Sequence, residues 1–126
     1  MVEQKYRIGN EHGHIMWDIS LMLQDKKSFS LRSFAVEKLI SENPFHGDAA
    51  YAMHTDIHEP LIVVQLDYGL DKLIDGNHRL YKMRKMGLTH LQAYYLSFKE
   101  HSRYIVDFDE KVYWDIVKHW INSSTN

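Results

Sequence analysis

The chain has 126 residues, a length that fits one globular domain with a real core. Its net charge of −2 at pH 7 argues against broad attraction to nucleic acid or to a membrane surface. It has no cysteine, which excludes disulfides, thiolate metal sites and thiol nucleophiles. Residues 1–10 are polar and no apolar run approaches bilayer length, so we expect a cytoplasmic protein without membrane contact.

The first half of the chain predicts one strand and two helices. Residues 15–19 are typical of a short strand. Ser30 is placed to cap a helix over residues 31–41, and Asp48 to cap a short helix over residues 49–54. The turn between these helices, at residues 45–48, is expected to be an ordinary surface loop, with a lid over a ligand site as the alternative.

Residues 61–66 form the clearest predicted strand, a β-branched run expected to be buried on both faces. A turn follows, and residues 71–74 return as the second strand of a hairpin. A helix is predicted over residues 77–86, with Gly87 where a C-terminal glycine cap belongs. This hairpin therefore delivers the chain into a helix at residue 77.

The remaining sequence predicts a strand at residues 91–96, an extended piece at 104–108 and a last helix at about 109–121 capped by Asp109. Trp114 falls off the apolar face of that helix and is expected to be exposed. Only two segments, 9–13 and 122–126, look loose. The prediction is a single α+β domain over residues 1–126, a small mixed sheet flanked by helices. Its core covers about residues 15–96 and its C-terminal helical extension about 109–121.

The most informative segment is Asp75-Gly76-Asn77-His78-Arg79, where an apolar strand meets a basic helix. Backbone N–H groups at a helix start are unpaired, and the helix dipole adds positive charge there, so this junction is typical of a phosphate site. Gly76 permits positive φ and close approach of a ligand. Either Asp75 or Asn77 is expected to cap the helix.

The basic and acidic side chains of this segment suggest roles in phosphate chemistry. Arg79 offers a planar fork of donors, and Lys82, three residues later, shares its helix face. His78 is a candidate proton donor or shuttle. Asp75 is the candidate magnesium ligand or general base. A common turn followed by a solvated basic helix is the alternative explanation of the same residues.

The segment resembles the ParB/sulfiredoxin superfamily. The resemblance also includes a strand-like run at residues 15–20 and the Pro-led strand from Pro60, and it covers roughly residues 15–96. In that family a Gly-x-x-Arg segment at a helix start binds nucleotide phosphates. The resemblance therefore implies a nucleotide or phosphate site formed by Gly76, Asn77, His78, Arg79 and Lys82.

Departures from the family patterns narrow the implied activity. Sulfiredoxins carry a reactive cysteine where this chain has Asn77, which excludes the sulfur-linked intermediate. ParB proteins bind CTP with a Gly-Glu-Arg-Arg motif, of which only Gly76 and Arg79 are matched here. ParB proteins also need a DNA-reading domain downstream, and the roughly thirty residues that follow position 96 are too few for one. Nucleic acid is therefore an improbable partner for this chain alone. Free serine kinases use Asp-Gly-His-His-Arg, which Asn77 alone breaks, and this is the nearest motif.

We therefore expect a nucleotide- or phosphate-binding domain, acting as a nucleotide-dependent phosphotransferase or phosphohydrolase. Asp75 and His78 are the candidate catalytic residues, and ATP, ADP or CTP with magnesium is the expected cofactor. The alternatives are a non-catalytic nucleotide-sensing or protein-binding module and, more weakly, a ParB-like nuclease. A phosphorylated small molecule is the other expected ligand, and a homo-oligomer is left open. Zinc held by His54 and His58 is disfavoured, because Pro60 interrupts the helical register that they need.

Overall fold

A computed structural model describes residues 4–10 and 13–124 of the chain. The β-strands are β1 (Lys5–Asn10), β2 (Gly13–Asp18), β3 (Leu31–Ala35), β4 (Leu61–Asp67), β5 (Leu70–Asp75) and β6 (His90–Leu96). The α-helices are α1 (Ile19–Gln24), α2 (Val36–Glu42), α3 (Ala49–Ala52), α4 (Asn77–Lys85), α5 (Phe98–His101) and α6 (Glu110–Ser124). Short 3-10 turns lie at Lys26–Ser28 and Ser102–Tyr104.

The strands form two sheets, which confirms the predicted α+β class. β1 and β2 make an antiparallel hairpin, and the larger sheet has the order β3-β6-β4-β5. In the larger sheet β6 is parallel to β4, while the outer pairs, β3 with β6 and β4 with β5, are antiparallel. The chain reaches β6 from β5 through α4, so the helix that carries the motif is the crossover between the parallel neighbours.

β4 is buried on both faces, as its sequence predicted. Leu61 and Val63 pack in the layer that contains α2 and α4. Ile62 and Val64 point the opposite way, into the layer formed by β2, α1 and α6. Because successive strand residues alternate between faces, one apolar run supplies the centre of both cores.

Residues 31–41 are not one helix, which corrects the sequence prediction. Leu31–Ala35 is an edge strand whose backbone pairs with β6, and the helix begins only at Val36. Ser30 therefore does not cap a helix, and its carbonyl accepts from Tyr95 N–H at 3.0 Å. Pairing with β6 satisfies the backbone of residues 31–35 and outweighs their helical periodicity.

Both segments predicted to be loose have regular structure where they are described. Residues 9 and 10 close β1, residue 13 opens β2, and α6 continues through residue 124. Residues 11–12 and 125–126 lie outside the described residues. The extended piece predicted at 104–108 is reduced to a single bridge between Ile105 and Trp17 after a 3-10 turn.

The predicted caps at Asp48, Asp109 and Gly87 are confirmed. Asp48 accepts from the N–H groups of Ala50 and Tyr51 at the start of α3, and Asp109 accepts from Val112 N–H at the start of α6. Gly87 follows α4 with φ +80°, the left-handed conformation of a C-terminal cap. Trp114, in contrast, is half-buried and lies against Phe98, with ring centroids 5.7 Å apart, so its predicted exposure was wrong.

None of the helices within residues 4–10 and 13–124 is long and apolar enough to cross a membrane.

The layer beneath α6 contains a fully buried polar residue, His101. Trp17 donates its indole N–H to His101 Nδ1 at 3.1 Å, and His101 Nε2 lies 2.7 Å from the carbonyl oxygen of Gln65. This arrangement requires a neutral ring with the proton on Nε2. Burial lowers the pKa of His101 from 6.5 to about 4.

We expect the free energy of unfolding to fall as pH drops from 6.5 towards 4. The unfolded state takes up a proton on His101 in this window and the folded state does not, so the stability is complete above pH 6.5. The loss should be on the order of 3 kcal/mol. Urea unfolding at a series of pH values measures it, and the imidazole Cε1–H NMR shift of His101 should stay flat down to about pH 5. A titration of that signal near pH 6.5 would contradict the expectation.

Candidate functional site

Gly76 makes the turn between β5 and α4. Its φ is +109°, and a Cβ built on it would lie 2.5 Å from Leu61 Cγ and 3.2 Å from Arg79 Nη2. A side chain is therefore disfavoured twice, by the left-handed backbone and by the central strand behind it. The glycine expected from the sequence is what lets the strand end and the helix begin against β4.

The first turn of α4 has no side-chain cap, so the prediction that Asp75 or Asn77 caps it was wrong. The Asn77 side chain instead donates to the carbonyl of His46, and Asp75 faces Arg79. The first bond across the start of the helix runs from Leu80 N–H to the Gly76 carbonyl, at 2.8 Å. The N–H groups of residues 77–79 precede that bond, which leaves the positive end of the helix available to an external acceptor.

Asp75 and Arg79 form a largely buried ion pair. Arg79 Nη2 lies 2.9 Å from Asp75 Oδ2, and the side chains are 11% (Asp75) and 13% (Arg79) exposed. The other carboxylate oxygen, Oδ1, accepts from Gln4 Nε2 at 3.0 Å. Both oxygens of the candidate base or metal ligand are thus occupied within the protein.

Arg79 also holds the chain that enters β4. Its Nη1 donates to the carbonyl of Glu59 at 3.0 Å and reaches that of Pro60 at 3.4 Å. These bonds and the pair with Asp75 leave the Nε–H of the guanidinium without a partner among the described residues. Arg79 is therefore anchored, and it still has donor capacity towards a ligand.

Two lysines bring further positive charge, and the sequence anticipated only one of them. Lys82 donates to the carbonyl of Thr55 at 2.6 Å, so it lies behind Thr55 rather than on the cleft surface next to Arg79. Lys26, from the 3-10 turn after α1, does line the cleft and pairs with Glu59 at 2.8 Å. No local sequence signal identifies Lys26, because its position depends on how α1 packs near β4.

His78 is held between two aromatic rings. Its ring centroid lies 5.0 Å from that of Tyr51 and 5.8 Å from that of Phe45, both edge-on. A Cβ on Gly47 would lie 2.8 Å from His78 Nε2, so the loop passes directly over the imidazole. Residues 45–48 therefore lie against the start of α4, and they help fix the orientation of His78.

These residues surround an open cleft of about 410 Å³ at the start of α4. Its walls are Gln4, Leu23, Lys26, Tyr51, Thr55, Glu59 and residues 75–79. A smaller cleft of about 290 Å³ shares Gln4 and residues 75–78 with it as walls. The structure thus brings Asp75, Gly76, Asn77, His78 and Arg79 together at one cleft.

The described residues contain no group of three or more His, Asp or Glu side chains arranged to hold a metal ion. Asp75 and Glu59 are the carboxylates of the cleft, and each is paired with a cation. The exposed His58 ring lies 2.7 Å from Asp56 rather than beside His54 in a common site. Any metal at the cleft therefore needs oxygen ligands from a bound molecule as well as from the protein.

Comparisons of this chain with known proteins found no matching family model, no matching curated protein and no matching solved structure. The likeness to the ParB/sulfiredoxin superfamily therefore stays a prediction from the residues of the motif. The geometry of the cleft carries the functional argument.

We expect Gly76→Ala to destabilise the protein by about 2–4 kcal/mol, because it combines backbone strain with a collision against Leu61. Gly87→Ala is the matched control at the other end of α4, since its φ is also positive and nothing lies within 4 Å of its Cβ position. The control should cost about 1 kcal/mol from the backbone alone. Urea unfolding of both variants measures the difference, and equal losses would show that close packing against β4 is unimportant.

Proposed function

We propose that the protein binds a nucleotide or another phosphate ester at the start of α4, in the cleft lined by Arg79, Lys26 and His78. The observation that carries the proposal is the uncapped first turn of α4, whose residues 77–79 line this cleft. Helix starts of this kind bind phosphate through backbone donors and the helix dipole.

The charges of the cleft favour an anion. Each of its carboxylates, Asp75 and Glu59, is neutralised by a cation, Arg79 or Lys26. The dipole of α4 adds partial positive charge, and the Nε–H of Arg79 is a donor without a partner among the described residues. A phosphate group supplies the missing negative charge and accepts several hydrogen bonds at once.

Tyr51 supports a nucleotide rather than a bare phosphate. Its ring is 60% exposed and lines the cleft beside His78. An exposed aromatic face next to a phosphate site is a stacking platform for a base, and Leu23 adds apolar surface to the same cleft. The sequence did not single out Tyr51, because its exposure and its neighbourhood are visible only in the fold.

Phosphotransferase or phosphohydrolase chemistry would use Asp75 as base or magnesium ligand and His78 as proton donor or acceptor. Each oxygen of Asp75 already accepts one hydrogen bond, from Arg79 or Gln4, so either role would use the remaining lone pairs of a carboxylate that is 11% exposed. A phosphate that draws the Arg79 guanidinium towards itself would free one oxygen of Asp75. Magnesium would then be bound between Asp75 and the phosphates of the ligand.

The second candidate is a non-catalytic nucleotide-sensing module. The pairing of Asp75 with Arg79 and Gln4 favours this candidate. A carboxylate held by two partners is poorly placed for catalysis, while the cleft beside it can still bind a ligand that stabilises the protein without turnover. For either role we propose the cytoplasm as the location, since a chain without cysteine suits a reducing compartment.

Binding is tested by thermal shift with ATP, ADP, CTP and pyrophosphate, each with and without magnesium. We expect at least one nucleotide to raise the melting temperature, since a ligand at a hundred times its Kd adds about 2.7 kcal/mol. Arg79→Met should weaken that binding at least about tenfold, as expected for loss of a charge-assisted bond. Arg84→Met is the matched control on the exposed side of α4, where Arg84 pairs with Glu37. No shift with any probe, or equal shifts in both variants, would refute the proposal.

The role of the base is tested with Tyr51→Ala. We expect about a tenfold loss of affinity for the nucleotide and no loss for pyrophosphate, because stacking contributes about 1–3 kcal/mol per base. Tyr68→Ala is the control, since Tyr68 is 94% exposed in the turn between β4 and β5. Parallel losses for nucleotide and pyrophosphate would argue against stacking on Tyr51.

Turnover separates the two candidate functions. Phosphate release or transfer with magnesium nucleotides, abolished in both Asp75→Asn and His78→Gln, is expected of an enzyme. Wild-type binding with no turnover above the level of these variants would instead identify a sensing module.

A further inference from the structure

Lys72 lies on β5 and points away from the α2–α4 layer. Its neighbour Leu73 packs in that layer, so Lys72 faces the opposite side, towards β1 and α6. Its ammonium nitrogen lies 5.9 Å from the centre of the Tyr6 ring and 5.5 Å from that of Trp120. The charge thus rests between two aromatic rings.

Lys72 forms no ion pair or hydrogen bond with any described residue. The carboxylates near it in sequence are engaged elsewhere: Asp71 accepts from Tyr95 OH at 2.6 Å, and Asp75 holds Arg79. Across the neighbouring cleft, Glu42 lies 4.0 Å from Lys38. Burial lowers the pKa of Lys72, and no carboxylate among the described residues offsets that effect. A partly buried ammonium without a counter-ion costs stability, which the two aromatic rings offset only in part.

Lys72 lines the smaller cleft of about 290 Å³. Tyr6, Pro44, Leu73 and Ile74 give this cleft apolar walls, and its polar walls include Gln4, Asn43 and the Asp75 carboxylate that is paired with Arg79. The smaller cleft shares Gln4 and residues 75–78 with the larger one, whereas Lys72, Tyr6 and Pro44 line only the smaller of the two.

We propose that this smaller cleft binds a small organic carboxylate, with its charge on the Lys72 ammonium and its apolar body against Tyr6 and Pro44. A single ammonium balances one negative charge, so a monoanion fits the site better than a phosphate dianion. The apolar walls favour a hydrocarbon or aromatic body over a fully polar one. The residues assigned to the ligand, Lys72, Tyr6 and Pro44, do not line the cleft of the proposed nucleotide site.

Benzoate is the probe, with benzylamine and benzamide as the cationic and neutral molecules of similar shape. The readouts are thermal shift and the ¹³Cε and ¹⁵Nζ NMR signals of Lys72. We expect benzoate to shift these signals, to raise the pKa of Lys72 and to raise the melting temperature. Benzylamine should do none of these, and benzamide should act much more weakly than benzoate. Lys72 signals unmoved by benzoate, or moved equally by all probes, would overturn the proposal.

Substitutions make the assignment specific. Lys72→Met should raise the melting temperature without a probe, because it removes an uncompensated charge, and should abolish the benzoate response. Lys72→Arg, which keeps the charge, should retain the response. Lys85→Met is the matched control, since Lys85 is exposed and also lies over a ring, that of Tyr81 at 5.5 Å. A benzoate response that survives in Lys72→Met, or that is lost in Lys72→Arg or in Lys85→Met, would refute the site. Because benzoate is tested without any nucleotide present, a failure of nucleotide binding is distinguishable from a failure here.

Discussion

The Arg79 guanidinium connects three parts of the fold that must meet for the cleft to exist. It pairs with Asp75 at the end of β5, it extends from α4, and it donates to the carbonyls of Glu59 and Pro60 just before β4. Removing one partner of a largely buried pair of this kind typically costs 3–5 kcal/mol, because the other charge is left uncompensated. The residue that we propose to bind phosphate is therefore also a structural residue. Its variants must be judged by comparing affinity with stability.

Sequence patterns predicted the parts of the fold whose structure is determined locally. The strand at residues 61–66 was recognisable because a β-branched run without polar alternation suits burial on both faces, and the structure has β4 there. The caps at Asp48 and Gly87 were equally recognisable. A short polar side chain caps the start of a helix, and a glycine readily adopts the left-handed conformation that follows the end of one. Residues 31–35 show the opposite case. Their apolar spacing is helical, but a partner strand from position 90 onwards pairs with their backbone, and no local pattern contains that partner.

The same division applies to the candidate site. The motif located Gly76, Asn77, His78 and Arg79 correctly at a strand–helix junction, because glycine and helix-start chemistry are local. The pairing of Asp75 with Arg79 was not predicted, although the residues are four apart on adjoining elements. Lys26 and Tyr51 reach the cleft from distant parts of the chain, and only tertiary packing brings them there. Lys82 was expected on the same helix face as Arg79, but its ammonium donates to the carbonyl of Thr55 and the side chain does not line the cleft.

Gln4 gives the N-terminal part of the chain a direct connection to the cleft. Its side-chain amide donates to Asp75, and its backbone carbonyl accepts from Ser20 N–H at 3.0 Å. Gln4 thus joins the residue just before β1 to the carboxylate that faces Arg79. A fusion partner or affinity tag attached ahead of residue 4 would enter the fold next to this hydrogen bond. The position of the tag should therefore be the same in all preparations whose ligand affinities are compared.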